Sequence, residues 1–89
     1  MTADEKIVML KANLELSNHL RDNYLLQLLE IAETEITREG ITLTDDIDDN
    51  NLIVMYAAYL YRSRAEESVG IPRMLRYALN NRLLSEKMR

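Results

Sequence analysis

Apolar residues recur at helical spacing most clearly between residues 25 and 36. Intervals of three and four residues place these side chains on one helix face, and the neighbouring glutamates lie largely off it. Gly40 follows at the position of a left-handed C-cap, and Asp22 precedes the first turn as a candidate N-cap. The pattern predicts an amphipathic helix of about five turns. Its apolar stripe consists of Leu25, Leu28, Leu29, Ala32 and Ile36.

A shorter helix is predicted at the start of the chain. Thr2 and Glu5 have the spacing of a capping box, in which a hydroxyl and a carboxylate satisfy free backbone N–H groups. The polar stretch 13–18 predicts a break after this helix. The residues that follow the cap and favour the helix are Ile7, Val8, Leu10, Lys11 and Leu14.

Residues 41–51 form the main interruption of the helical pattern. Ile41 and Leu43 alternate with threonines, which is compatible with a short extended piece. The acidic tract 45–49 repels itself, so we predict that it is mobile unless a partner binds it. Its last Asp or Asn is a candidate cap for the next helix.

Two more helices are predicted in the second half of the chain. Residues 52–61 are apolar or aromatic nearly all round, which is typical of a central helix contacted on several sides. We predict that this third helix runs from about Asn51 to Glu67. Pro72 suits the first position of a fourth helix, which is predicted to reach about Met88. The apolar stripe of that basic helix is Leu75, Ala78, Leu79 and Leu83.

The composition favours an all-α fold. Helix-favouring residues are abundant, and two glycines and one proline are too few for an all-β chain. We therefore predict one domain over residues 1–89, a small bundle of about four helices with an acidic loop between helices 2 and 3. The absence of cysteine excludes disulfides and thiolate metal sites. No apolar run approaches the ~20 residues of a membrane helix, and acids near the N-terminus argue against a signal peptide, so we expect a cytoplasmic protein.

The charge is unevenly distributed along the chain. Residues 1–50 contain twelve acids and four bases, a net charge of −8, whereas residues 51–89 contain three acids and seven bases, a net charge of +4. Such a division would let the acidic part of one copy face the basic part of the next. The alternative is that these charges are simply solvated helix faces.

Catalytic and metal-binding patterns are weak. The tract Asp45–Asp49 lacks the glycine and the final glutamate of an EF-hand loop, which favours a solvated loop or an electrostatic surface. His19 is the only histidine and has no evident nucleophile partner, so it is expected to be a surface or core residue. Phosphate-binding, dinucleotide-binding and zinc-binding motifs are absent. We expect no enzymatic activity and no cofactor.

Tyrosines and arginines meet at the end of the third predicted helix. Tyr56, Tyr59 and Tyr61 precede Arg62 and Arg64, and both residue types are enriched at protein interfaces. Core packing is the alternative for the first two tyrosines.

The basic fourth helix is a candidate nucleic-acid surface. Against that reading, the whole chain is acidic and no aromatic platform interleaves with these bases.

Five segments together resemble the small head–tail connector proteins of long-tailed bacteriophages, also called adaptor or head-completion proteins. The resemblance covers nearly the whole chain, and the last two segments are the most specific. The segments are MLKANL at 9–14, LLQLLEIAE at 25–33, REGI at 38–41, MYAAYLYRSR at 55–64 and PRMLRYALNNR at 72–82.

The resemblance implies an all-helical, non-enzymatic subunit at the virion head–tail interface, assembled in the host cytoplasm. Such subunits form a ring, dodecameric in the virion, below the portal protein and carry a stopper or tail-completion protein. DNA passes through the ring without sequence-specific binding, and no membrane is involved. By this resemblance the C-terminal helix faces the portal. The implied channel-facing acidic loop comprises Asp45, Asp46, Asp48 and Asp49. We expect the contact residues to be Arg62, Arg64, Arg73, Arg76 and Arg82. The alternative is that these arginines satisfy carboxylates within their own subunit.

Three other functions remain open at this point. A small helix-turn-helix DNA-binding protein would bind duplex DNA in a salt-dependent way. An accessory protein-binding helical module would form a defined small oligomer without affinity for portals. An enzyme ranks last, because the chain lacks a credible set of nucleophile, base and metal ligands.

Overall fold

The computed structural model describes residues 2–65 and 70–88 and contains four α-helices. Within these ranges there is no strand, so the prediction of a small all-α bundle is confirmed. The predicted end of the third helix near Glu67 lies outside the described residues. The helices are α1 Ala3–Leu14, α2 Asp22–Arg38, α3 Ile47–Ala65 and α4 Arg73–Lys87.

The start of α1 has the predicted capping box. The Thr2 hydroxyl accepts a hydrogen bond from the Glu5 N–H at 3.1 Å, and the Glu5 carboxylate accepts one from the Thr2 N–H at 3.5 Å. Glu15 ends the helix with φ 59°, in the left-handed region. The predicted cap of α2 is wrong by one residue, because Asp22 is the first helical residue and its carboxylate is held by Lys11 and His19.

The core forms where α1, α2 and α4 pack around α3. All five residues of the predicted α2 stripe are buried. Small residues let α2 and α3 approach closely, because Ala32 and Ala57 are fully buried and Ala58 nearly so. The buried side chains of α3 cover several of its faces, which agrees with its central position in the bundle. They belong to Leu52, Ile53, Val54, Tyr56, Ala57 and Ala58.

Helix α3 begins four residues earlier than predicted. The Asp46 carboxylate accepts a hydrogen bond from the Asp49 N–H at 2.9 Å, which caps the helix, and Asn50 donates to the Asp46 carbonyl at 2.9 Å. Asp48 and Asp49 therefore lie in the first helical turn, where the helix dipole favours negative charge. The prediction of a mobile acidic loop over residues 45–49 is therefore wrong, because Asp46 caps α3 and residues 47–49 belong to the helix. Residues 41–44 form no strand.

Helix α4 packs mainly on α3 through the buried side chains of Leu75 and Leu79. It begins at Arg73, so Pro72, which was predicted as the first helical residue, is instead the N-cap. On its inner side, Leu83 lies beside Gly40, with a methyl carbon 3.7 Å from where a Cβ at position 40 would be. The turn after α2 therefore lies against α4.

Gly40→Ala is expected to lower the free energy of unfolding by about 1–3 kcal/mol. Gly40 has φ +103°, a conformation that a residue with a Cβ adopts only with strain, although the space for the Cβ itself is adequate. Urea denaturation measures the change. The matched control is Gly70→Ala, because Gly70 has no neighbouring atom within 4 Å of a new Cβ and no positive φ. Equal effects of the two substitutions would contradict the prediction.

Candidate functional site

Arginine and tyrosine side chains interleave at the junction of α2 and α3. The Arg21 guanidinium lies 5.7 Å from the centre of the Tyr61 ring and donates a hydrogen bond of 2.5 Å to its hydroxyl. The Arg64 guanidinium lies 5.7 Å from the centre of the Tyr24 ring, and the two tyrosine rings are 6.2 Å apart. These four residues are called the Arg–Tyr cluster.

The Arg–Tyr cluster opens to solvent beside a large apolar side chain. Leu20 precedes α2, is 89% exposed and lines the same surface depression as the four cluster residues. Guanidinium groups stacked on tyrosine rings are held in place while several N–H donors stay free, which is the composition found at binding hot spots. Arg64 and Tyr61 were predicted from the sequence as interface candidates, whereas Arg21, Tyr24 and Leu20 were not. Leu20 was detectable as an apolar residue outside the α2 stripe.

The other tyrosines of α3 pack inward. Tyr56 is buried, and its ring contacts that of Tyr59 edge-to-face at a centroid distance of 5.9 Å. Burial raises the pKa of Tyr56, and the carboxylates of Glu35 and Glu39 raise it further. Tyr56 therefore belongs to the core, in agreement with the packing alternative.

The five arginines proposed as contact residues do not form one cluster. Arg62 is exposed and donates to the Asn13 carbonyl at 3.2 Å and to its side-chain oxygen at 3.1 Å, which joins α3 to α1. Arg73 and Arg76 are exposed on α4 and have no hydrogen-bond or ion-pair partner among the described residues. Of these five arginines, only Arg64 belongs to the Arg–Tyr cluster.

Arg82, the fifth of these arginines, points inward to Asp49. Its Nε donates to one Asp49 carboxylate oxygen at 2.7 Å, and a terminal nitrogen donates to the other at 3.2 Å. Further bonds go to the Glu86 carboxylate at 2.9 Å and to the Thr42 carbonyl at 2.7 Å. The expected contact role of Arg82 is therefore corrected, because its donors are used inside the subunit.

Asp49 is 1% exposed, so it cannot face a channel, and this expectation too is corrected. Besides Arg82, it accepts hydrogen bonds from the Thr44 N–H at 2.8 Å and from the Thr44 hydroxyl at 3.0 Å. Burial acts to raise the pKa of Asp49, but the hydrogen bonds from Arg82 and Thr44 outweigh it and hold the pKa below its usual range. The same pairing raises the pKa of Arg82.

The remaining acids of the tract lie at the surface. Asp45, Asp46 and Asp48 are exposed, and Asp45 accepts a hydrogen bond from the Asn50 amide at 3.1 Å. Three of the four predicted channel-facing residues therefore lie at the surface, where Asp46 also caps α3.

The Asp49–Arg82 pair predicts a specific dependence of stability on pH. A depressed folded pKa gives stability that is fully present above the unfolded pKa of about 3.9 and is lost as pH falls through the folded pKa. We expect Asp49→Asn to destabilise the protein most at neutral pH, and the difference from wild type to shrink in acid. Urea denaturation across this pH range measures it, with Asp48→Asn as the exposed control. A difference independent of pH would contradict the prediction.

A second exposed surface lies on the outer side of α4. Met74, Tyr77, Leu84 and Met88 are between 57% and 78% exposed, and their spacing places them along the side opposite the buried Leu75 and Leu79. A row of large apolar side chains in solvent is typical of a binding site. Three exposed bases accompany the row, so the α4 outer face is defined as Arg73, Met74, Arg76, Tyr77, Leu84, Lys87 and Met88.

Other kinds of site find little support in the part of the chain that the structure describes. Within residues 2–65 and 70–88, no three acidic or histidine side chains converge on a metal position. His19 is exposed at the surface and pairs with Asp22 at 3.0 Å. None of the described helices has the length and hydropathy to cross a bilayer.

Comparisons of the chain with protein-family models, with curated proteins and with solved structures found no match. The function is therefore argued from the Arg–Tyr cluster, the α4 outer face and the charge distribution.

Proposed function

We propose that this chain is a non-catalytic structural subunit that assembles as a ring at a phage head–tail interface. The ring lies between the portal protein and a stopper or tail-completion protein and extends the DNA channel. The observation that carries the proposal is that a small helical bundle exposes two separate surfaces of interface composition. A ring subunit in this position contacts neighbouring copies as well as the proteins above and below the ring, and therefore needs more than one such surface.

The Arg–Tyr cluster and Leu20 supply the first surface. Tyrosine offers a large rigid contact area at low entropic cost, and arginine adds several hydrogen-bond donors. The rings of Tyr24 and Tyr61 fix the two guanidinium groups before any partner arrives. This preorganisation reduces the entropy lost on binding.

The exposed carboxylates of Asp45, Asp46 and Asp48 support the channel part of the proposal. Negative charge repels the phosphate backbone, so DNA moves past such a surface without being held. Neutralising all three residues is expected to alter DNA retention or ejection. Particles unchanged in both respects would remove the acids from the proposed channel.

A duplex-DNA-binding function is the second candidate, because Arg73, Arg76 and Lys87 are all exposed on α4. The apolar row on the same face weighs against it, since phosphate contacts are made by polar and basic groups. Salt-dependent binding of the isolated chain to duplex DNA distinguishes this function from the ring.

The direct test is affinity capture of the tagged chain from a lysate of cells producing the particles, read by mass spectrometry. Recovery of a portal protein together with tail-completion components would support the proposal. Recovery of duplex DNA or of an unrelated enzyme, with no virion protein despite active particle production, would overturn it.

Arg64→Glu is expected to weaken assembly about tenfold or more while leaving the free energy of unfolding within about 1 kcal/mol. The change reverses one charge in the Arg–Tyr cluster and removes the contact with the Tyr24 ring. Sedimentation of the chain with its portal measures assembly, and urea denaturation measures stability. The control is Arg38→Glu, an exposed arginine of α2 outside both surfaces. Unchanged assembly of the Arg64 variant would exclude this residue from the interface.

A further inference from the structure

Both lysines of α1 are paired within the subunit. Lys6 contacts Glu33 of α2 at 2.8 Å, and Lys11 contacts Asp22 at 2.5 Å. The lysine side chains are largely covered, so neither cation is free to neutralise charge on the other side of α1. That side is left acidic.

An exposed apolar residue lies among these acids. Val8 is 66% exposed and was predicted from the sequence as part of a helical apolar set, yet it points away from the core. A groove of about 480 Å³ runs beside it, and Asp4, Ile7, Ala12 and Leu16 contribute to its lining. Lys11 and His19 also line this groove, but both are paired there with Asp22. The α1 outer face is defined as Asp4, Glu5, Val8, Ala12 and Glu15, all of them exposed.

The α4 outer face has the opposite charge for the same physical reason. Glu86 is the one acid between residues 70 and 88, and Arg82 holds it inside the subunit at 2.9 Å. Its pKa is lowered by hydrogen bonding to Thr42 and to Arg82, so it remains a paired carboxylate. Arg73, Arg76 and Lys87 are left facing solvent around the apolar row.

We propose that the α4 outer face of one copy docks on the α1 outer face of the next copy. The proposal rests on the proposed ring and identifies which surfaces of neighbouring subunits meet. The two lysines of α1 and the glutamate of α4 are all paired within the subunit. This leaves Asp4, Glu5 and the C-cap residue Glu15 with Val8 on one face, and three bases with an apolar row on the other. Opposite charges around apolar centres steer association and fix its register.

Two different faces of the same chain meet in this contact, so it is heterologous. A heterologous contact repeats from copy to copy and closes into a ring when the rotation between copies permits. The groove beside Val8 would receive the apolar side chains of α4, in the manner of an amphipathic helix in a groove.

An alternative partner for the α4 outer face is the α4 outer face of a second copy. Met74, Tyr77, Asn81, Leu84 and Met88 have the 3–4–3–4 spacing of a coiled-coil seam. However, the helix spans only about two heptads, whereas stable coiled coils need roughly three or four. Self-pairing also places the bases of two α4 helices together, which is unfavourable.

Disulfide trapping distinguishes the two arrangements, because the chain contains no cysteine of its own. Val8→Cys is mixed with Tyr77→Cys, and separately with Leu84→Cys, at the highest concentration at which the proteins stay soluble, and a mild thiol oxidant is added. We expect disulfides between the two different variants in at least one mixture. Glu30→Cys, at an exposed site of α2, replaces Val8→Cys in the control mixtures.

Charge reversal tests the same contact independently. Adding Arg76→Glu to the α4 variant is expected to reduce the rate of mixed cross-linking about tenfold, and Asp4→Lys on the partner variant is expected to restore it in part. Arg38→Glu introduces the same charge change outside both faces and is expected to leave the rate unchanged.

The outcomes separate this contact from the proposed function. Mixed disulfides that respond to the charge reversals support the contact. Disulfides mainly between identical Leu84→Cys chains indicate α4 self-pairing, and cross-linking no greater than with Glu30→Cys shows that the faces do not meet; either result overturns it. If portal capture succeeds while cross-linking fails, the proposed function stands and this inference alone is wrong.

Discussion

Replacing Arg82 with alanine is expected to lower the free energy of unfolding by about 3–5 kcal/mol. Asp49 is 1% exposed and relies on Arg82 for both of its charge-assisted hydrogen bonds. Without the guanidinium, a carboxylate remains buried with Thr44 as its chief donor. The Thr42 carbonyl and the Glu86 carboxylate each lose the hydrogen bond from Arg82 as well. Since domains are stabilised by about 5–15 kcal/mol, this loss would be a large part of the total stability.

Urea denaturation at neutral pH measures this loss. Arg38→Ala is the control, because Arg38 forms a salt bridge with Glu35 at 3.1 Å but its side chain is 70% exposed, and such surface pairs contribute about 0–1 kcal/mol. The double variant Asp49→Asn with Arg82→Ala is expected to be less destabilised than the sum of the two single changes. If Arg82→Ala and Arg38→Ala had similar effects, the pair would not be what holds α4 in place.

Replacing Leu28 with alanine is expected to have an effect of similar size, about 2–5 kcal/mol. Leu28 is a fully buried residue of α2. The substitution removes apolar contacts and leaves a cavity that the surrounding core fills only in part. Thermal and urea unfolding both report the loss.

Leu20→Ala deletes the same atoms at a position that is 89% exposed. Its effect on the free energy of unfolding is expected to stay within about 0.5 kcal/mol. Because Leu20 borders the Arg–Tyr cluster, this variant is instead expected to bind its partners more weakly. A destabilisation comparable with that of Leu28→Ala would mean that Leu20 is covered in the folded protein.

The elements that the sequence specified by local chemistry were predicted well. The α2 stripe was predicted correctly because its buried residues follow the 3.6-residue period of a helix. The Thr2 cap was predicted correctly because Thr2 and Glu5 lie three residues apart in the chain. The glycine after α2 has the positive φ expected from its position. These features depend on neighbours in the chain and so are visible without the fold.

The features that were missed depend on distant partners. Asp49 was assigned to a solvated acidic loop because Arg82, which takes it into the interior, lies thirty-three residues further on. The cluster around Tyr24 joins residues forty apart, and sequence spacing does not show such a contact. Val8 was grouped with the apolar residues of α1, but it lies off the face formed by Ile7, Leu10 and Leu14 and is exposed.

The molecule measures 41 × 31 × 18 Å along its principal axes, so it is flattened in one direction. Each of the four helices has exposed residues, so every helix has a side in contact with water. Further burial must then come from outside the subunit. By mass action, each partner that binds the folded chain raises its melting temperature, so the melting temperature should increase with protein concentration wherever copies associate.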